Sequence, residues 1–342
     1  MNRDPRLDRP PGLLVRAAAR AAAWLLPLRG KPAALNRILV VRTDDRVGNA
    51  LLTIPLVRAL QAAFPQARVD LLLARPEVAE GLPGLSILRF NKRNPFALLR
   101  LLRSLRGYDA VIDAAHWHAF SLTSALLSRW ATRRWLVGSD RGPSHLYSAA
   151  LPPPPPGMPE VEAKLLLAAG LGLPAISAPP LETPLGRGPS PVAGTFVALN
   201  PGARKAGHRW GAAGFAALAG ALRRRCVVFW GPGEEKLARE VAEAGGAELA
   251  PPTDLDQLAA AFRAASLVVT NDTGPMHLAV ACGAPVVAIF LDEAGLRWAH
   301  PGPRFAAVVA PPGVEPVLAA AARLLDTAQP PAEPARSPEG IS

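Results

Sequence analysis

The chain has 342 residues, half of them hydrophobic (50%), so it is long enough for two ordinary domains with their own cores and is not a disordered protein. Its two cysteines, Cys226 and Cys282, lie inside apolar segments, and the sequence contains no CxxC metal motif or disulfide framework. Both are therefore expected to be reduced core residues of a cytoplasmic protein.

The net charge of +11 is concentrated in the first half of the chain. Residues 1 to 185 hold 24 lysines and arginines against 13 acids, whereas residues 186 to 342 hold 14 of each. Such a field attracts nucleic acid, acidic lipid headgroups or a phosphorylated glycolipid. Nucleic acid is disfavoured, because no RNA-recognition, zinc-finger or helix-turn-helix signature accompanies the charge. The alternative is an arginine-rich surface that is simply solvated.

The N-terminal extension, residues 1 to 36, contains one predicted helix. Its first 12 residues are polar and rich in proline, and the following segment GLLVRAAARAAAWLLPLRGK is amphipathic. Arg16 and Arg20 interrupt the apolar run, which is unlike a signal peptide and falls short of the roughly 20 residues that span a bilayer. Two placements suit this helix: on a membrane surface with Trp24 and Leu25 inserted, or packed against the first domain.

Residues 37 to 180 alternate short apolar strands with helical patterns. The predicted strands are RILVVR, RVDLLL, SILRF, DAVIDA and a segment near RRWLVG. This alternation predicts a parallel, doubly wound sheet that opens with a strand, a loop and a helix running to about Phe64. The opening loop lacks GxGxxG, which disfavours a dinucleotide site. His116 follows the DAVIDA strand at its carboxyl end, where such sheets bind ligands.

A stretch rich in proline, glycine and serine predicts an interdomain linker at residues 181 to 194. The second predicted domain, residues 195 to 328, repeats the alternation, with strands TFVALN, CVVFW, LVV, PVVAIF and RFAAVVA. The tail at residues 329 to 342 is rich in proline and is expected to be disordered.

The most informative stretch is SLVVTNDTGPMHLAVACGAPVVAIF, residues 266 to 290. Two apolar strands rich in β-branched residues flank a polar turn and a helix predicted to begin at Pro275. Amides at a helix N-terminus favour an anion, while the side chains of Asp272 and Thr273 can bind hydroxyls attached to it. A sugar phosphate satisfies both requirements. The alternative is a βαβ turn in which Asp272 only caps the helix.

Four segments between about residues 37 and 290 resemble, in order, glycosyltransferase family 9, the bacterial lipopolysaccharide heptosyltransferases. They are RILVVRTDDRVGNALLTIP, LNPGARKAGHRW, VVFWGPGEE and NDTGPMHLAVACGAPVVAIF. The last segment is specific, whereas NPGA or GPGEE alone would be weak. The resemblance implies an α/β protein with two Rossmann-like, doubly wound domains that face each other across a cleft (GT-B type). It implies neither a catalytic metal nor another cofactor.

The resemblance further implies inverting transfer of a heptose or related sugar from a nucleotide sugar, typically ADP-L-glycero-D-manno-heptose, to the lipid A core oligosaccharide. The second domain would bind the donor, and the basic first domain would bind the acidic acceptor at the inner face of the cytoplasmic membrane. An acceptor hydroxyl attacks, a carboxylate takes its proton, and amides with a basic side chain stabilise the leaving diphosphate. The rival hypothesis is a non-catalytic protein of the same fold that binds nucleotide sugar or glycan. A sugar-nucleotide epimerase of the same fold is a weaker option.

Carried over position by position, the resemblance assigns donor binding to the turn and loops of the second domain. These residues are Asn200, Pro201, Gly202, Glu234, Glu235, Asp272, Thr273 and Gly274. It places Arg46, Gly48 and His116 on the acceptor side.

Two positions depart from the family pattern. Asn49 follows Gly48, where the family usually has the aspartate proposed as the base, and an asparagine cannot accept a proton at neutral pH. Asp44, Asp45 or His116 would then serve as the base, or the protein does not catalyse the usual reaction. The family's lysine beside the diphosphate falls on His208, and we expect Arg209 to supply positive charge there with His208.

Overall fold

The computed structural model describes residues 12–115, 117, 120–204, 206–311 and 313–327. The first half is built on a six-stranded parallel sheet. Its strands are β1 (Arg37–Arg42), β2 (Arg68–Leu73), β3 (Ser86–Arg89), β4 (Tyr108–Asp113), β5 (Thr132–Ser139) and β6 (Ala149–Leu151). Its helices are α1 (Leu13–Leu25), α2 (Val47–Leu51), α3 (Ile54–Ala63), α4 (Pro95–Ser104), α5 (Leu122–Ala131) and α6 (Glu160–Leu165). Short 3-10 helices lie at Pro76–Val78, Ser144–Leu146 and Leu166–Leu171.

The second half repeats this architecture with another six-stranded parallel sheet. Its strands are β7 (Val197–Asn200), β8 (Cys226–Val228), β9 (Glu248–Leu249), β10 (Leu267–Asn271), β11 (Val286–Phe290) and β12 (Phe305–Val309). Its helices are α7 (Ala212–Leu222), α8 (Glu235–Gly245), α9 (Leu255–Ala264), α10 (Gly274–Ala281) and α11 (Glu315–Thr327). The 3-10 helices here are Ala206–His208 and Glu293–Trp298.

Both sheets have the strand order of a Rossmann fold. The spatial orders are β3-β2-β1-β4-β5-β6 and β12-β11-β10-β7-β8-β9. In each sheet the order of the strands along the chain therefore reverses beside its own first strand, β1 or β7. In the first sheet Val40 is in register with Leu71 of β2 and Ile112 of β4. The predicted α/β class with two doubly wound domains is therefore confirmed.

Alternation along the strands divides the first core into two layers. Ile38 and Val40 of β1 face one side of the sheet, with residues of α2 and α3, while Leu39 and Val41 face the other, with residues of α4 and α5. All four side chains are fully buried, and burial of such a side chain contributes roughly 1.5–3 kcal/mol. These apolar faces fix the sheet between its helices and hold the strand ends in place.

The opening helix differs from its prediction. In place of one helix running to about Phe64, α2 ends at Leu51 and α3 begins at Ile54. Pro55 in the first turn of α3 has no N–H to donate, so a continuous helix would leave the carbonyl of Leu51 without its partner. The strands β6 and β9 were not predicted, because they have only three and two residues.

Residues 181 to 194, the predicted linker, contain no helix or strand. Thr183 donates from its hydroxyl to the carbonyl of Val78 (2.9 Å). Arg263 of α9 donates to the carbonyls of Thr183 (2.8 Å) and Leu185 (2.9 Å). The segment is therefore held to both halves, while the proposed domain boundaries stay a prediction. The predicted tail, residues 329 to 342, lies outside the described residues, and none of the described helices is long and apolar enough to cross a membrane.

Candidate active site

A cavity of about 700 Å³ lies where the two sheets point their carboxyl strand ends toward each other. In the first half its walls come from the loops after β1 and β2, and in the second half from the loops after β7, β8, β10 and β11. Ligands of doubly wound sheets bind at this end, beside the point where the strand order reverses. The volume falls within the range of small-molecule sites, about 300–1,000 Å³.

Most of the predicted site residues meet in this cavity. The predicted residues that line it are Asp45, Arg46, Gly48, Asn49, Asn200, Gly202, His208, Glu234, Asp272, Thr273 and Gly274. Asp44, Pro201, Arg209 and Glu235 are not among its lining residues. His116 lies outside the described residues.

Asp44 is engaged within the first loop itself. Its Oδ1 accepts hydrogen bonds from the Asn49 side-chain amide (2.7 Å) and the Arg46 backbone N–H (3.2 Å), and its Oδ2 pairs with the guanidinium of Arg42. Arg42 is fully buried and also donates to the carbonyl of Ala114 (2.6 Å). Burial lowers the pKa of Arg42, and the charge of Asp44 opposes that shift. The Asp44 carboxylate is thus neutralised, whereas Asp45 is exposed and lines the cavity.

The two halves touch where Gly48 of α2 meets His277 of α10. A Cβ atom added at Gly48 would lie 2.5 Å from Cδ2 of His277, so the close approach requires glycine. Asn49, the next residue, is only 6% exposed. This contact sets the separation between the first-domain loop and the turn at Asp272–Gly274.

Two buried asparagines hold the second-domain loops together. Asn271 at the end of β10 accepts from the backbone N–H of Trp210 (3.0 Å) and donates to the carbonyl of Pro201 (2.8 Å). Asn200 at the end of β7 donates to the hydroxyl of Thr270 (3.3 Å). The predicted donor residues Asn200 and Pro201 therefore shape the loop through contacts within the protein.

Asp272 carries the mostly buried carboxylate of the turn after β10, which the sequence predicts to bind the donor. Burial raises its pKa to about 6, with Arg297 opposing the rise and Asp292 adding to it. Its Oδ2 lies 3.8 Å from Nδ1 of His208. At neutral pH Asp272 is ionised, so it can accept hydrogen bonds from ligand hydroxyls.

Glu234, and not its neighbour Glu235, faces the cavity. Its Oε2 accepts from the backbone N–H of Gly231 (3.2 Å), and a Cβ atom at Gly202 would lie 2.1 Å from the same oxygen. Glu235 lies on the exposed side of α8, where its carboxylate is 2.7 Å from the guanidinium of Arg239. Glu234 is therefore better placed than Glu235 for the predicted role in donor binding.

Arg209 bridges two loops beside the cavity. Its Nε donates to the carbonyl of Ala203 (2.9 Å), and its Nη2 lies 3.7 Å from Oε1 of Glu234. This geometry keeps the loops after β7 and β8 together. The role of Arg209 at a leaving diphosphate stays a prediction.

Several lining residues were missed from the sequence. They are Arg75, Arg204, Arg297, His277 and Trp298. Arg204 lies inside the LNPGARKAGHRW segment, and Arg75 and Arg297 follow β2 and β11, so the carboxyl-end rule applied to every strand would have found them. The positive charges of Arg75, Arg204 and Arg297 favour anionic ligands in the cavity.

His277 belongs to a buried histidine pair. Its Nδ1 lies 2.8 Å from Nε2 of His300, so one ring donates and the other accepts. Burial and the neighbouring His300 lower the pKa of His277, and burial lowers the pKa of His300 to about 4. Both rings are therefore neutral at pH 7. In the part of the chain that the structure covers, no group of three His, Cys, Asp or Glu side chains is arranged to hold a metal ion.

Two Rossmann-like domains with a site between their carboxyl strand ends define a fold of the GT-B type. The chain matches the model of glycosyltransferase family 9 (heptosyltransferase) over residues 98–311. It therefore belongs to glycosyltransferase family 9, as its motifs indicated.

Known relatives agree with this assignment. Over 293 residues the chain is 28% identical to lipopolysaccharide heptosyltransferase 3 of Escherichia coli, an alignment that covers 73% of this chain and 82% of that protein. Its fold is similar to that of E. coli heptosyltransferase WaaC with ADP, with a TM-score of 0.64, 21% identity and coverage of 82% of this chain and 97% of that one. The family 9 glycosyltransferase from Veillonella parvula DSM 2008 gives a TM-score of 0.68 at 19% identity and covers 86% and 98% of the two chains.

Proposed function

We propose that the protein transfers a heptose or related sugar, with inversion, from ADP-heptose to a lipopolysaccharide core acceptor. The observation that carries this proposal is the cavity into which the loop after β1 projects from one domain and the loops after β7, β8 and β10 project from the other. The E. coli relative is a lipopolysaccharide heptosyltransferase by name, and the similar WaaC structure contains ADP. Both support this choice of donor and acceptor.

The second domain binds the donor in this proposal. The amides at the start of α10 and the side chains of Arg204 and His208 meet the diphosphate, while Glu234 meets the ribose. Asp272 and Thr273 accept and donate hydrogen bonds at the sugar hydroxyls. Each of these groups lines the same cavity, so one extended ligand can contact them all.

Asp45 is the proposed general base. The acceptor hydroxyl oxygen attacks the anomeric carbon from the face opposite the diphosphate, and its proton passes to the Asp45 carboxylate. The bond between the anomeric carbon and the phosphate oxygen breaks, and its electron pair leaves with ADP. Asp44 is less suited to this step, because it is paired with Arg42 and accepts from Asn49.

The first domain binds the acceptor in this proposal. Arg46 and Arg75 line its side of the cavity and suit the acidic groups of a core oligosaccharide. A lipid-anchored acceptor places the protein at the cytoplasmic face of the inner membrane. The proposal includes no metal and no cofactor. The nucleotide sugar is a substrate in this proposal.

Asn49 favours the second candidate function, a non-catalytic protein that binds nucleotide sugar or glycan. Incubation of the purified chain with ADP-heptose, with and without core acceptor, separates the candidates. We expect release of ADP and an acceptor heavier by one sugar, with the new bond of inverted configuration by NMR. Donor binding by calorimetry without turnover would support the binding protein. Conversion of the donor sugar without acceptor would indicate an epimerase.

A further inference from the structure

The exposed apolar side chains of the protein are concentrated on two helices. Among the described residues, seven large apolar side chains are exposed, and six of them lie on α1 and α4. They are Leu13, Leu14, Trp24 and Leu25 on α1 and Phe96 and Leu99 on α4. Trp24 is 81% exposed and Phe96 is 80% exposed. Contiguous exposed apolar groups mark interaction sites, whereas single ones are ordinary.

Both helices belong to the same outer layer of the first domain. Each packs on α5, and Leu28, just after α1, packs against the cluster that contains Leu101 of α4. Arg129 of α5 donates to the carbonyl of Leu26 (2.8 Å), which fixes the end of α1. Ala19 and Ala22 form the buried side of α1, so its apolar and basic residues point outward.

Positive charge accompanies these apolar groups. On α4 the exposed Phe96, Leu99, Arg100 and Arg103 follow the spacing of a single helical face. On α1, Arg16 and Arg20 lie between the exposed leucines and Trp24. Residues 12 to 36 and 91 to 108 together contain nine lysines and arginines and no aspartate or glutamate. We call the exposed side chains of these two helices the α1/α4 face.

We propose that the α1/α4 face docks the protein on a bilayer with anionic headgroups. The proposal rests on the proposed function in one respect, because that function supplies a lipid-anchored acceptor. Trp24, Leu25, Phe96 and Leu99 enter the boundary between headgroups and acyl chains, and the arginines meet lipid phosphates. A second copy of the chain is a poorer occupant, because two such faces carry the same charge and repel each other.

Co-sedimentation of the full chain with acceptor-free vesicles tests this proposal. We expect binding to phosphatidylcholine vesicles that contain phosphatidylglycerol, much weaker binding to pure phosphatidylcholine, and loss of binding as salt is raised. The variant Arg100→Glu/Arg103→Glu should bind anionic vesicles at least about tenfold more weakly. The matched control Arg224→Glu/Arg304→Glu changes the net charge equally at exposed sites of the second domain. Its binding to anionic vesicles should stay within about twofold of wild type, because charges far from the membrane surface are screened.

A second variant tests the apolar component without changing charge. Trp24→Ser/Phe96→Ser removes two exposed rings, so the circular dichroism spectrum of the variant should match that of wild type. Its binding to vesicles should weaken by roughly tenfold or more. Equal binding to neutral and anionic vesicles, or no effect of either variant, would overturn the proposal. Self-association through this face, or capture of an acidic protein without vesicle binding, would do the same.

Activity on two forms of the acceptor separates this proposal from the proposed function. Both variants should transfer sugar to a delipidated core fragment at the wild-type rate and lose activity only on acceptor embedded in vesicles. If wild type binds anionic vesicles but transfers no sugar to either acceptor, only the proposed function fails. If it turns over both acceptors without binding vesicles, only the docking surface fails.

Discussion

At the scale of single residues, Asn49 occupies the position where the family resemblance implies an aspartate base, and Asp45 is the proposed base instead. The Asn49 side-chain amide donates to the Asp44 carboxylate (2.7 Å), and Asn49 is only 6% exposed. Asn49→Asp would therefore bring two carboxylates together in a buried position. Like charges this close oppose ionisation of both groups. We therefore expect kcat/KM of Asn49→Asp to fall or stay near the wild-type value.

Asp45→Asn completes this prediction. Loss of general-base assistance should lower kcat by about 10²- to 10⁴-fold while the donor Kd stays unchanged. Asp326→Asn, the same chemical change on an exposed position of α11, serves as the control. Steady-state kinetics decides between the two loop positions. A tenfold gain in Asn49→Asp, equivalent to about 1.4 kcal/mol, would place the base at residue 49 instead.

The proposed donor contact at Asp272 predicts that donor binding depends on pH. Burial raises its pKa to about 6, and only the ionised carboxylate accepts hydrogen bonds on both oxygens. As pH falls from 7.5 through 6, the carboxyl takes up a proton and KM for the donor should rise. In Asp272→Asn the donor KM should be higher at pH 7.5 and nearly flat across this range. A wild-type profile as flat as that of the variant would remove Asp272 from the donor site.

At the scale of elements, the contact between α2 and α10 joins the loop after β1 to the turn after β10, the proposed acceptor and donor sides of the site. Gly48→Ala would place a methyl group 2.5 Å from the buried His277 ring, so the ring or the helices would have to shift. We expect kcat to fall by at least about tenfold, because small misplacements of reacting groups are costly. Donor Kd should change less than kcat, since most of the proposed donor contacts lie in the loops after β7 and β8. Gly220→Ala on the exposed side of α7, where no other part of the chain lies within 4 Å of the added Cβ, is the control.

The buried histidine pair predicts acid sensitivity of the second domain. Burial holds the pKa of His300 at about 4, below its ordinary value in the unfolded chain, so the unfolded state binds the proton more readily. The stability that depends on a neutral His300 is therefore fully present above about pH 6.5 and is lost as pH falls toward 4.

His300→Gln tests this linkage, because glutamine can keep a hydrogen bond to His277 without titrating. Between pH 7 and 5 wild type should lose up to roughly 2 kcal/mol more unfolding free energy than the variant. Urea unfolding at several pH values provides the measurement. Parallel pH profiles for the two proteins would show that His300 titrates normally.

At the scale of the whole molecule, apolar periodicity predicted the parallel, doubly wound sheets, whereas the arrangement of two domains across a cleft was implied by the family resemblance. Runs such as LVV and PVVAIF are too short for helices and too apolar for exposed strands, so they predicted buried parallel strands that the structure confirms. The strands β6 and β9 are too short to carry a period. The break between α2 and α3 depends on Pro55, whose effect on the preceding turn was overlooked.

The cavity was less predictable, because its details depend on contacts between segments distant in sequence. The motifs placed Asp45, Asn49, His208 and Asp272 after predicted strands, and all four line the cavity. Arg42 and Asp44 are only two residues apart, but their ion pair depends on the conformation of the loop after β1, and the contact between Gly48 and His277 joins distant segments. The loop conformation, which residue types alone do not show, decides whether Asp44 or Asp45 faces the cavity.

The most direct test of the central claim is mass spectrometry of the lipopolysaccharide core from a strain that lacks this gene. The proposed function predicts a core shortened at one heptose or related sugar, restored by the wild-type gene and not by Asp45→Asn. An unchanged core, or full restoration by Asp45→Asn, would contradict it.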